Sequence, residues 1–252
     1  VFGGDISGTK GTVTKFLIGS NVAVWLLTVF LAVAAGQVSG SQIGSLLTSG
    51  GETAFTQDFA AVPYFLTNGG LAFGGIASGE FYRLLTSDFL HYGIVHIGFN
   101  MYALWILGRE CERLLGRWRF LLLYLLTGVG GATAVYLFGS PNALVAGASS
   151  SIFGLIGAMV FFFKKLQADM RGLIGLIVLN VAITLFVPGI SILGHAGGFV
   201  LGSALGAVLA YAPAGPMRKQ LQLAGIAGVA LVMVAVVAAR TVQLGLLGVS
   251  LP

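Results

Sequence analysis

The stretch GASSSIFGLIGAMVFFF, residues 147–163, sets three serines in a row at the mouth of an apolar run that meets no charge before Lys164. Hydroxyls in a membrane span ordinarily bond back to their own helix or across to a neighbour, so the three together are compatible with packing alone. One of them is equally compatible with a nucleophile at a helix start. Gly154 and Gly157 would be costly inside a soluble helix, whereas in a bilayer small residues let two helix backbones approach closely. The rest of the chain agrees with a membrane setting: 57% of its 252 residues are hydrophobic, 8% are charged and the mean hydropathy is +0.97. Those values lie outside the range of a soluble domain, and the fold class is an all-α polytopic membrane protein.

Apolar runs recur at 16–35, 92–108, 119–138, 149–163, 172–187, 195–213 and 222–239. Most can cross about 30 Å of hydrocarbon at ~1.5 Å per residue, giving seven expected helices. The first could be taken for a signal peptide, but its apolar stretch exceeds the usual ~7–15 residues. Basic residues cluster in alternate connections: Lys10 and Lys15, then Arg109, Arg113, Arg117 and Arg119, then Lys164, Lys165 and Arg171, then Arg218 and Lys219. By the positive-inside rule that side is cytoplasmic, with the N-terminus inside and the C-terminus outside. Arg240 is the one exception, and a bacterial cell membrane is the expected location.

The net charge of +5 falls between apolar runs and forms no basic patch with interleaved aromatics, so nucleic acid is not an expected partner. Cys111 is the only cysteine, which excludes an internal disulfide, and no metal-ligand spacing occurs. No metal or cofactor is expected. The long 36–91 connection carries aromatics throughout, including Phe55, Phe59, Phe73, Phe81 and Tyr82, and reads as a segment in the outer interface. Within it GEFYRLLTSDFLHYG, residues 79–93, mixes apolar and charged residues at helical spacing, which predicts a partly inserted amphipathic helix.

Only three histidines exist: His91, His96 and His195. His96 and Asn100 stand four residues apart on the second helix and share a face. Counted from His91 they lie ~7 and ~13 Å in from the outer end. Ser149 opens the fourth helix from the same side. The 15-residue run from Ser149 to Phe163 spans only ~22 Å, so its N-terminus should start below the surface with unpaired N–H groups. His195 begins the sixth helix, where Gly198, Gly202 and Gly206 form a small-residue ladder. Close packing of the fourth and sixth helices would bring Ser149 and His195 within reach. Acyl transfer follows: His195 as general base for Ser149, with His96, Asn100 and the Ser149 N–H as oxyanion donors. Asp88 is the only outer acid near a relevant helix, and a Ser–His dyad is the better reading.

These elements resemble the rhomboid intramembrane serine proteases over roughly residues 16–213. HIGFNM at 96–101 is similar to the family's H-x-x-x-N, GASS at 147–150 to its nucleophile motif, and GHAGGFVLG at 194–202 to its H-x-G-G-x-x-x-G. Gly108, Glu112 and Gly116 match its G-x-x-x-E-x-x-x-G. Two positions depart: Tyr82-Arg83 stands where the family usually has Trp-Arg, and Ser150 where it commonly has glycine.

The resemblance implies a rhomboid-like six-helix core at 16–213, containing the external 36–91 loop, after a cytoplasmic segment 1–15. The run 222–239 then supplies a seventh transmembrane helix, a 6+1 arrangement. It also implies Ser149 as nucleophile, His195 as base, His96 and Asn100 as oxyanion donors, and single-span transmembrane proteins as substrates, met within membrane lipid. FVPGISILG, residues 186–194, would cover the site, with Pro188 and Gly189 in its turn. Phe153, one turn after Ser149, either packs its helix or stacks on His195. Two alternatives stand beside this reading: an inactive rhomboid-like protein that binds membrane clients, for which Ser150 is the argument, and a small transporter. The transporter is disfavoured by the absence of internal repeats and of charges deep in the spans.

Overall fold

A computed structural model describes residues 2–3, 11–68, 72–187 and 189–246. The segment around Asp5 and Lys10, and Pro188 of the expected covering loop, lie outside the described residues. Helix α1 (Thr12–Ala34) is followed by the short α2 (Ser41–Thr48), α3 (Ala54–Phe59) and α4 (Arg83–Thr86). Then come α5 (Gly93–Leu115), α6 (Arg117–Phe138), α7 (Ser149–Leu166), α8 (Arg171–Phe186), α9 (Ile192–Tyr211) and α10 (Arg218–Leu246). Among the described residues seven long helices fall on the seven apolar runs, and five of them, α1, α6, α7, α9 and α10, are long and apolar enough to cross a membrane. The chain is an all-α polytopic membrane protein.

Helix α7 stands at the centre, with every residue from Ser150 to Met159 buried, as expected of a helix surrounded by others. Its partner α9 is brought to backbone contact by glycines. A methyl group built on Gly198 would lie 2.0 Å from the Ser150 carbonyl oxygen, and one on Gly202 2.0 Å from that of Gly154. On the far side of α7, Gly154 faces Thr127 of α6, and Gly130 and Gly131 of α6 meet Leu201 of α9 and Ser150. Three helices thus share one small-residue seam, where close packing supplies the association energy that water-driven burial cannot supply in lipid.

A buried carboxylate ties α1 to this core. Glu112 of α5 accepts the backbone N–H groups of Val13 and Thr14 at 3.1 and 3.0 Å and the Thr14 hydroxyl at 2.8 Å. A negative charge at orphan N–H groups of a helix start is favourable. Helix α10 lies against the outside, held by Gln222, whose Nε2 donates to the Leu209 carbonyl at 2.9 Å, and by a 2.8 Å bond between the Tyr136 and Thr241 hydroxyls. In contrast, α8 buries only Leu173 and Thr184.

The connection between α1 and α5 differs from expectation. Residues 79–93 do not form one amphipathic helix; they fold as the single turn α4, a 3-10 turn over Ser87–Phe89 and an extended lead into α5. The reason is tertiary. Arg83 is drawn inward to donate to the carbonyls of Gln57 and Ala60 and to pair with Glu80, and Thr86 donates to the Phe59 carbonyl. Satisfying those carbonyls outweighs continuing a helix. Several boundaries also shift. Helix α7 runs on through Lys164 and Lys165, whose charges suit a helix C-terminus, so it spans ~27 Å rather than ~22 Å. Helix α9 starts at Ile192 behind a Ser191 cap, so His195 sits one turn in. Helix α10 extends to both sides of 222–239.

Candidate functional site

The three serines occupy three different environments. Ser149, half-buried, is the first residue of α7, where a backbone N–H has no intrahelical acceptor. Ser150 is turned into the glycine seam: methyl groups built on Gly131 and Gly194 would lie 2.4 and 3.1 Å from its Oγ. Ser151 is buried against α6 and the 3-10 turn, its Oγ 2.8 Å from Asp88 Oδ2 and 2.6 Å from the Tyr124 carbonyl oxygen. One hydroxyl hydrogen cannot serve both acceptors. A neutral Asp88 donating to Ser151, which in turn donates to Tyr124, satisfies both contacts. Burial pushes the Asp88 carboxyl up to about 7. Asp88 is therefore engaged with Ser151, and among the described residues it makes no contact with His195.

His96 and Asn100 project from the first two turns of α5. The Tyr92 N–H donates to His96 Nδ1 at 3.2 Å, which leaves that nitrogen unprotonated and puts the ring hydrogen on Nε2. A methyl group built on Gly147 would lie 2.7 Å from His96 Nε2 and 3.7 Å from Asn100 Nδ2. Asn100 Nδ2 is buried and has no hydrogen-bond partner among the described residues. Two N–H donors thus converge on the backbone two residues before Ser149. Gly147 has φ +130, a conformation open to glycine, and only glycine leaves His96 room.

The turn carrying Gly147 and Ala148 is held from below by the segment 87–91. The Gly147 N–H donates to the Ser87 carbonyl at 2.9 Å and the Ala148 N–H to His91 Nε2 at 3.3 Å. Burial, and secondarily the neighbouring His96, holds His91 down at about 3, so it stays neutral and able to accept. His91 and Gly147 were not singled out from the sequence as site residues. His91 lies five residues before His96, which on a continuous helix would put it on another face; Gly147 could have been flagged by its place beside the serines.

His195 lies on α9 between Gly194 and Gly198, both of which abut Ser150 of α7. Its ring stacks on Phe153, centroids 4.1 Å apart at 17°, so Phe153 serves both its helix and the histidine. Its Nδ1 lies 2.7 Å from the Thr184 hydroxyl of α8. Among the described residues no hydrogen bond joins Ser149 to His195. Beside His195 is a cavity of about 340 Å³ between α7, α8 and α9, in which Thr184 and His195 are the only polar side chains. Among the described residues no cluster of His, Cys, Asp or Glu could hold a metal ion.

The Rhomboid domain matches residues 78–212. The chain is 36% identical over 214 residues to the rhomboid protease GluP of Bacillus subtilis (strain 168), covering 76% of this chain and 42% of that protein. It is 39% identical over 154 residues to RHOMBOID-like protein 4 of Arabidopsis thaliana, covering 58% of this chain and 39% of the relative. It is 31% identical over 155 residues to rhomboid-type serine protease 2 of Emericella nidulans, covering 59% and 30%. The chain therefore spans less than half the length of each of these three relatives.

Proposed function

This chain belongs to the rhomboid family, and from that premise we propose that it is a serine endopeptidase that cuts membrane proteins within the bilayer. The observation that carries the proposal is the convergence of His96 Nε2 and Asn100 Nδ2 on Gly147, beside a serine at a helix start and across a seam from a histidine. His195 Nε2 takes the Ser149 proton as Ser149 Oγ attacks the scissile carbonyl carbon. The oxygen of that carbonyl, now negative, accepts hydrogen bonds from His96 Nε2–H, Asn100 Nδ2–H and the Ser149 N–H. Collapse expels the amine, protonated by His195, and water activated by the same histidine then releases the acyl group. Removing one such oxyanion donor typically costs ~10²–10³ in rate.

The substrates are single-span transmembrane proteins, met in membrane lipid. Ser149, His96 and His195 lie at the starts of α7, α5 and α9, whereas Arg113, Lys164 and Lys165 lie at the ends of α5 and α7 and Arg171 and Arg218 at the starts of α8 and α10. With the basic end cytoplasmic, cutting takes place near the outer face, the N-terminus is inside and the C-terminus outside, in a bacterial cell membrane. The six helices α1 and α5–α9 form the core at 16–213, and α10 the added seventh.

Co-reconstitution in liposomes with a single-span reporter bearing alanine and glycine at the outer end of its span tests this reading. Two fragments joined at that end, formed by wild type and absent with Ser149→Ala, are expected. An intact reporter with folded wild-type protein, while the reporter still co-purifies, would favour a client-binding protein. Solute flux into sealed vesicles independent of Ser149 would favour a transporter.

A further inference from the structure

We propose that Thr184 of α8 is the positioning residue for His195, taking the place that a carboxylate holds behind the base in a three-membered serine-hydrolase site; this rests on the catalytic reading above. The argument is one of hydrogen count. The Thr184 hydroxyl has a single hydrogen, and it is donated to the Asn180 carbonyl at 2.7 Å, an atom that can only accept. Its contact with His195 Nδ1 at 2.7 Å can therefore only be one in which the imidazole N–H donates. His195 carries its hydrogen on Nδ1, and Nε2 is left bare for the Ser149 proton. The opposite tautomer would present an N–H to a hydroxyl it must deprotonate.

No other polar side chain lines the cavity around the two residues, so among the described residues nothing substitutes for Thr184. The Phe153 ring covers one face of His195 and fixes the plane of the imidazole, while Thr184 fixes which way round it is held. When the ring becomes an imidazolium during the reaction, the Nδ1–H bond to Thr184 turns charge-assisted and strengthens. It then acts more on the reacting state than on the resting one. A neutral hydroxyl gives orientation but less charge stabilisation than a carboxylate would. The group that sets the tautomer also sits on a helix that is mostly exposed, so the readiness of the base depends on where α8 stands.

The test compares Thr184→Val, which keeps the shape without the hydroxyl, with Thr184→Ser, which keeps the hydroxyl. A fluorophosphonate probe is titrated against detergent-purified protein to separate the maximal labelling rate from the half-saturating probe concentration. Thr184→Val is expected to lower the maximal rate by about 10- to 100-fold with half-saturation unchanged, and Thr184→Ser to restore it to within about threefold. Nitrogen-15 spectra of the three histidines, assigned with His195→Gln, are expected to show His195 protonated at Nδ1 in wild type and Thr184→Ser, and mixed in Thr184→Val. Equal rates in wild type and Thr184→Val, or a wild-type His195 protonated at Nε2, would overturn the proposal. Should the probe fail to label wild type while the Nδ1–H tautomer is found, the catalytic reading falls and the positioning contact stands.

Discussion

Two helices bracket His195 and are built on opposite principles. Helix α9, which carries the histidine, is locked to α7: methyl groups built on Gly198 and Gly202 would lie 2.0 Å from backbone oxygens of Ser150 and Gly154, atoms that cannot move without moving the whole helix. On α8 the same construction at Gly172 and Gly175 meets nothing within 4 Å, and Ile174, Val178, Leu179 and Phe186 are exposed. Of the two residues α8 buries, Leu173 packs and Thr184 bonds the histidine. The contrast separates two tasks. Small residues hold the proposed nucleophile and base at a fixed spacing, while a single polar contact from a helix facing lipid sets the state of the base.

The contrast is broken most severely in the seam. Gly202→Leu drives a side chain into the Gly154 backbone, and no folded protein is expected by size-exclusion chromatography in detergent. A milder break is Gly147→Ala, which presses on His96 Nε2 and forces a strained φ. Labelling by an active-site probe is expected to fall roughly 100-fold with the fold retained. Wild-type labelling there would show that the donors do not converge on this turn.

The mouth of α7 makes a third, titratable support. The Asp88 carboxyl is pushed up to about 7 from an ordinary 3.8, so the folded protein holds a proton that the unfolded chain releases, and stability falls as pH rises between about 4 and 7. His91, held down at about 3 from 6.5, works the other way, with stability lost as pH falls from 6.5 towards 3. The two slopes oppose each other over the shared window. Asp88→Asn, which mimics the neutral acid, is expected to unmask the histidine, so that the melting temperature climbs with pH from about 3 to 6.5 more steeply than in wild type. An unchanged profile would mean that Asp88 titrates alike in the folded and the unfolded protein. The smallest effect belongs to α8: Gly175→Ala meets open space and is expected to raise stability by at most about 1 kcal/mol and leave labelling unchanged.

The helices were legible because length and apolarity in a bilayer are nearly sufficient to specify a span, and the glycine ladder of α9 announced its closest partner. What the sequence concealed was made by distant backbone. The 79–93 stretch has helical spacing, yet carbonyls of Gln57, Phe59 and Ala60 capture Arg83 and Thr86, a bond pattern no local periodicity encodes. Asp88 could be weighed only as a partner for His195; its actual neighbour Ser151 lies 63 positions away. Thr184 gave no signal, because a threonine bonding back four residues inside a helix is ordinary, and only the adjacent histidine makes that bond consequential.

The central claim is that Ser149, and neither of its two neighbours, is activated by His195. Labelling of detergent-purified protein with a fluorophosphonate probe tests it most directly, comparing wild type with Ser149→Ala, His195→Ala and Ser150→Ala. The account predicts labelling in wild type and in Ser150→Ala, whose side chain only fills the seam, and none in the other two. Labelling that persists in Ser149→Ala, or is indifferent to His195→Ala, would contradict it.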